Sequence, residues 1–132
     1  KLYAQDIRGS KAHAAMLGLQ TRIQSKARPG VASGAVYDFA LAGAQAQGYG
    51  DHFMGVGRDR IRFVGHGVGL ELDEFPFLNA GQTLALEEGM VIALEPKAVF
   101  PGRGTVGIEN THVVTRDGLE QLGTYPDEIT VV

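Results

Sequence analysis

Between Phe63 and Glu74 the chain reads FVGHGVGLELDE, which sets His66 among glycines and follows it with Glu71, Asp73 and Glu74. An imidazole can ligate a metal or carry a proton near neutral pH, and neighbouring carboxylates can do either beside it. Gly65, Gly67 and Gly69 let other backbone approach where a side chain would block it. The same residues also describe a tight turn with a solvated acidic rim, and nothing within the stretch chooses between these readings.

A second pair of acids lies downstream. Met90 to Phe100 and Gly104 to Thr115 are strand-like runs separated by Pro101-Gly102-Arg103, which predicts a hairpin. A three-residue loop pairs Phe100 with Gly104, so the numbers of paired residues total 204 and Glu95 falls across from Glu109. Only this parity keeps Met90, Ile92, Leu94, Phe100, Val106, Ile108 and Val114 on one apolar face. Opposed residues have Cβ atoms about 5 Å apart, and like charges there repel. Buried, such a pair needs a proton or a cation between its members. The contexts Ala93-Leu94-Glu95-Pro96 and Gly107-Ile108-Glu109-Asn110 favour burial, whereas an exposed pair at a sheet edge needs no cation. Under the same register Lys97 faces Gly107, bringing a cation to the face shared by the two glutamates, with the glycine leaving room for its stem. A lysine pointing into solvent at a strand end is the simpler alternative.

These residues must be held by elements that the rest of the chain supplies. Residues 2–27 are rich in Ala, Leu, Gln, Lys and Arg and predict a helix, with Leu2, Ile7, Ala14, Leu17 and Ile23 as its apolar stripe. Arg28-Pro29-Gly30 stops it. Ser33 is the expected N-cap of a second helix running to about residue 47, with Gly48 as its C-terminal signal and Val36, Phe39, Ala40 and Gly43 toward the core. Residues 48–57 read as loop, 60–64 as strand and 120–122 as a short last strand after the Arg116-Asp117-Gly118 turn. His13 is expected on a solvated helix face, His52 in a loop, and His112 as a packed, hydrogen-bonded residue of the apolar face. The order is α+β: two helices followed by an antiparallel curved sheet, in one domain over residues 1–132.

Composition narrows the classes. A net charge of −3 argues against nucleic acid as a partner, and no run of eighteen apolar residues exists to span a membrane. The absence of Cys excludes disulfides, thiolate zinc sites and cysteine nucleophiles, and agrees with a cytoplasmic setting. The glycine-rich 65–69 stretch lacks dinucleotide-loop spacing. A start at Lys1, in mid-helix, suggests part of a longer protein.

Taken in order, Gly65-His66-Gly67-Val68-Gly69-Leu70-Glu71, Leu86-Glu87-Glu88-Gly89-Met90, Leu94-Glu95-Pro96 and Gly107-Ile108-Glu109-Asn110-Thr111 resemble the signatures of the pita-bread metallopeptidases. That group includes methionine aminopeptidase, Xaa-Pro aminopeptidase, prolidase and creatinase. Arg28-Pro29-Gly30-Val31, Gly48-Tyr49-Gly50-Asp51 and Val113-Val114-Thr115-Arg116-Asp117-Gly118 resemble the Xaa-Pro branch best. The resemblance covers nearly the whole chain. It implies the C-terminal portion of a pita-bread fold and a site of two divalent metal ions, manganese, cobalt or zinc. It implies His66, Glu95 and Glu109 as metal ligands, Glu95 and His66 in the catalytic centre, and a peptide as substrate. Two further ligands of the pattern are aspartates. Asp6 lies in a helix-like run with no partner aspartate at suitable spacing, so these residues alone are expected to be inactive. An apolar face left by the missing half would leave a homodimer open.

Three positions depart from the pattern. Asp73 stands where the family usually has a substrate-binding histidine, Gly107 where it commonly has arginine, and Lys97 where it has glycine. Asp73 and Lys97 are therefore the expected substrate-binding residues, with prolyl specificity open and Lys97 relocating the charge that Gly107 lacks. An arginine restored at 107 is expected to recover part of the function lost with Lys97. A peptidase-like module that binds peptide or protein without catalysis is the rival reading, and creatinase-like hydrolysis of a small molecule a third.

Overall fold

The computed structural model describes residues 7–129. Helix α1 spans Ile7–Lys26 and α2 spans Ser33–Ala46. Seven strands follow: β1 Phe63–Gly67, β2 Glu74–Asn79, β3 Val91–Leu94, β4 Lys97–Phe100, β5 Gly104–Gly107, β6 Asn110–Thr115 and β7 Gly118–Gln121. They form a five-stranded antiparallel sheet in the order β2-β1-β3-β6-β7 and a separate β4-β5 ribbon. The α+β expectation of two helices followed by an antiparallel sheet is borne out. No described helix is long and apolar enough to cross a membrane.

The buried face of α1 is not the expected one. Ala12, Met16, Leu19 and Ile23 are buried, stepping by four, three and four residues along one helical face. Ala14 is exposed and Leu17 half-buried, because two residues from Ala12 is a rotation of roughly 200°. Leu2 lies outside the described residues. His13 is half-buried and not fully solvated.

Helix α2 begins without a side-chain cap. Ala32 is the N-cap residue and Ser33 lies inside the helix, with its hydroxyl buried and unpartnered among the described residues. The free N–H groups of the first turn instead donate to strand-side carbonyls, Ser33 N to Leu84 O at 2.9 Å and Gly34 N to Gln82 O at 2.9 Å. Those bonds meet the same need as a cap, so the serine is not required in that role. A Cβ at Gly34 would stand 2.6 Å from Gln82 O, so the approach depends on glycine. The helix ends at Ala46 with Gln47 as its C-cap, and Gly48 just beyond it takes the left-handed conformation expected of a C-terminal signal, with φ +80°.

The 204 register holds on both sides of a break. Val91↔Val113, Ile92↔His112, Ala93↔Thr111 and Leu94↔Asn110 pair in the main sheet, and Lys97↔Gly107 through Phe100↔Gly104 pair in the ribbon. Between them lies Glu95-Pro96, and a proline has no N–H to give a ladder. Glu95 N donates instead to Val64 O of β1 at 2.9 Å. The predicted hairpin is thus two collinear ladders, with Glu95 and Glu109 at the point where they part. The ribbon's outer edge is covered by the 52–54 loop, through Met54 N to Lys97 O at 2.8 Å and Val99 N to His52 O at 2.8 Å.

Core residues come from every layer. Met16, Leu19 and Ile23 of α1 and Val36, Ala40 and Ala44 of α2 pack with Leu78, Ile92, Leu94 and Val114 of the sheet. The opposite face of the sheet carries His66 and Ala93, which are directly paired.

Candidate active site

His66 is held at the centre of the sheet, paired with Phe77 of β2 on one side and Ala93 of β3 on the other. The stretch expected either as a turn or as a site is a strand over Phe63–Gly67 and a loop over 68–73. A Cβ at Gly65 or Gly67 would run into the backbone carbonyl of Ala93 or Phe75, so the glycines let two strands close on β1 around the histidine. The ring is 4% exposed and stands edge-on to Phe63, with centroids 5.9 Å apart.

The imidazole orientation is set by its own strand. Nδ1–H donates to Gly67 O at 3.0 Å, which leaves the Nε2 lone pair facing outward. Nε2 is 3.1 Å from Asp73 Oδ1 and 3.8 Å from Glu95 Oε1. An acceptor nitrogen facing two carboxylates calls for a cation, either a proton on Nε2 or a metal ion.

Glu95 enters from the end of β3 and is buried, while Asp73 arrives on the exposed 68–73 loop. That loop is braced by Glu74, which accepts from Glu71 N at 3.2 Å and lies against Gly69. The three acids that looked alike in sequence thus differ: Glu71 is exposed, Asp73 reaches the histidine and Glu74 shapes the loop. The second oxygen of Glu95 pairs with the Lys97 ammonium, so both lie on one face of the strand as parity required. Lys97 does not point freely into solvent; its side chain is 22% exposed.

Glu109 is exposed, against the expectation drawn from its apolar neighbours. It flanks the opening between the ladders, where neighbouring backbone no longer encloses it. The repulsion expected between Glu95 and Glu109 is relieved in part by water at one carboxylate and by Lys97 at the other. The structure therefore brings together His66, Asp73, Glu95 and Lys97, with Glu109 opposite in register but outside that contact set.

The donor chemistry fits half of a metal centre. An imidazole Nε2 and a buried carboxylate oxygen 3.8 Å from it are donors that a divalent transition metal takes. Among the described residues no group of three His, Asp or Glu side chains is gathered closely enough to hold an ion.

Other histidines have structural roles. His52 donates from Nδ1 to Val99 O at 2.9 Å and lies against Phe100. His112 is fully buried on the apolar face, as expected, and accepts from Gln24 Nε2 of α1 at 2.9 Å. Burial lowers its pKa from the ordinary 6.5. Asp127 gave no signal in the sequence, yet it accepts from Asn110 Nδ2 at 2.9 Å and fastens the C-terminal segment beside Glu109.

Comparison with known proteins places the chain by family and by fold. A model of metallopeptidase family M24 matches residues 4–116. The chain is 36% identical over 107 residues to the Xaa-Pro dipeptidase of Pyrococcus furiosus, covering 81% of this chain and 29% of that protein. It superposes on the X-Pro aminopeptidase of Thermotoga maritima with a TM-score of 0.87 and 28% identity, covering 99% of this chain and 35% of the other. With dipeptidase PepE of Mycobacterium ulcerans the TM-score is 0.86 at 30% identity, over 100% of this chain and 34% of the other. The chain spans 26–29% of the length of the first curated relatives it matches. With two helices, an antiparallel sheet and a match over most of its length, the chain belongs to metallopeptidase family M24.

Proposed function

We propose that the protein carrying this chain hydrolyses peptides as an Xaa-Pro-type metallopeptidase, with His66, Glu95 and Glu109 as this chain's ligands to two divalent ions. The observation that carries the proposal is the outward Nε2 of His66 facing the buried Glu95 carboxylate at 3.8 Å. When bound, such a pair of ions activates water and polarises the scissile carbonyl.

The remaining work falls to the chain's own groups. Glu95 accepts the attacking water's proton at a carboxylate oxygen. His66 is held in one tautomer and orientation by Gly67 O, so its Nε2 needs no reorganisation. Lys97 offers an ammonium to a substrate carboxylate, and Asp73 offers a hydrogen-bond acceptor to the substrate beside the ligands. Lysine is a mobile point charge without a planar fork, so recognition is looser than with arginine.

One observation favours a second reading. Asp73 meets His66 Nε2 and Lys97 meets Glu95, so the chain's own side chains satisfy these groups. That arrangement also suits a peptide-binding module that does not hydrolyse.

The test is replacement of His66, Glu95 or Glu109 by Ala in the full-length protein, with metal content measured by elemental analysis alongside peptide turnover. Both should fall in every variant. Unchanged stoichiometry and turnover in all three refute the ligand set, and a wild type that holds no metal selects the binding module.

A further inference from the structure

Glu95 is 9% exposed, and a buried carboxylate without a partner is strongly unfavourable. Its cation in this structure is the ammonium of Lys97. We propose that Lys97 is a resident cation that holds the place of a metal on Glu95 and competes with it for the carboxylate. The inference rests on the metal reading of His66 and Glu95, and names a regulator of that same site.

Three features seat the lysine there. Its backbone is fixed on both edges, by pairing with Gly107 and by Met54 N donating to Lys97 O at 2.8 Å. Gly107 opposite has no side chain, and a Cβ there would come within 2.6 Å of Lys97 Cβ, so the stem lies against bare backbone. Parity points positions 95 and 97 to one face, so a short reach along the strand joins the two charges. Asp73 differs: it rides an exposed loop, is 53% exposed, and meets Nε2 from outside. Lys97 is thus the enclosed partner and Asp73 the solvent-side one.

The physical consequence is a competition between two cations for one carboxylate. A divalent ion that takes Glu95 must displace the ammonium, and that work subtracts from its affinity. The displaced ammonium is then free for a substrate carboxylate, so metal and substrate favour each other by linkage. Removing Lys97 tightens metal binding and, when a chelator is present, leaves Glu95 unpaired.

The experiment uses full-length protein as wild type, Lys97→Met, Lys97→Arg, Glu95→Gln and the Glu95→Gln/Lys97→Met double variant. Zn2+ affinity is read by competition with a chromophoric chelator, and melting temperature is read in excess EDTA. Lys97→Met should bind Zn2+ on the order of tenfold tighter, with Lys97→Arg close to wild type. In EDTA, Lys97→Met should melt lower by roughly 2–8 °C, and should have no effect in the Glu95→Gln background. Equal Zn2+ affinity in wild type and Lys97→Met, with binding lost in Glu95→Gln, overturns the competition and leaves the metal reading standing. Unchanged Zn2+ binding in Glu95→Gln overturns the metal reading. The melting arm then decides alone: coupling between 95 and 97 upholds Lys97 as the resident cation, and its absence overturns that too.

Discussion

Lys97 stands directly across from Gly107 on the β4-β5 ribbon, and the glycine has no space for a Cβ. An atom placed there would lie 2.6 Å from Lys97 Cβ and 2.7 Å from Pro96 O. The expected opposition of the two residues is therefore present, but the room is taken by the lysine stem and by backbone. This bars the expected rescue by an arginine at 107, since a backbone carbonyl cannot swing aside as a flexible side chain can.

Lys97→Met should lower kcat/KM of the metal-loaded full-length protein by roughly tenfold, about 1.4 kcal/mol of transition-state binding. Adding Gly107→Arg should recover none of it and should lower the melting temperature. Steady-state kinetics at saturating metal checks the first part; an unchanged kcat/KM would end the substrate-binding role. Recovery in the double variant would mean the ribbon yields more easily than its contacts imply.

Residues 1–132 alone supply three of the five proposed ligands. Expressed separately they should bind Zn2+ weakly and hydrolyse no Xaa-Pro dipeptide. They should also self-associate through exposed apolar groups such as Leu70, Leu72 and Phe75. Light scattering and a chromatographic peptide assay test this; hydrolysis by a rigorously purified sample would contradict it.

His112 links acid stability to the fold. Its folded pKa lies below the ordinary 6.5 because burial penalises the imidazolium. The unfolded chain then binds the proton more readily, so this contribution to stability is present above pH 6.5 and is lost as pH falls toward the folded value. Urea unfolding between about pH 7.5 and pH 5 should show a steeper acid loss in wild type than in His112→Leu. Parallel curves would show that the buried histidine carries none of it.

Gly34→Ala sets two effects against each other. Alanine gains about 1 kcal/mol of helix propensity over glycine. Its Cβ would meet backbone atoms of Gln82 at 2.6 and 2.8 Å, and overpacking of that kind costs about 1–3 kcal/mol. The clash should win, so the variant should melt lower than wild type; a stabilised variant would show that the 82 loop moves freely.

How far the site could be read beforehand varied with the distance over which each feature is encoded. The 204 register was legible because loop length and alternating burial act along one hairpin, and the shared face of Glu95 and Lys97 followed from strand parity. The glycines around His66 signalled close backbone approach. The strand β2 was not legible, since Pro76 interrupts its run and an edge strand needs only one partner. The stripe of α1 was misplaced because its apolar residues are spread around the helix and offer several faces of similar apolarity, and only packing on the sheet selects one.

By itself, then, the sequence determined the periodic and local features: two helices, the hairpin register, the glycine-lined histidine and the candidate donors His66, Glu95 and Glu109. Tertiary structure alone decided which donors meet. The path of the 68–73 loop set Asp73 against His66, and the break at Pro96 left Glu109 open to solvent while burying Glu95 with Lys97. Chain periodicity states which way a side chain points. Its partners and its contact with water depend on which remote segments pack over it, and no local pattern carries that.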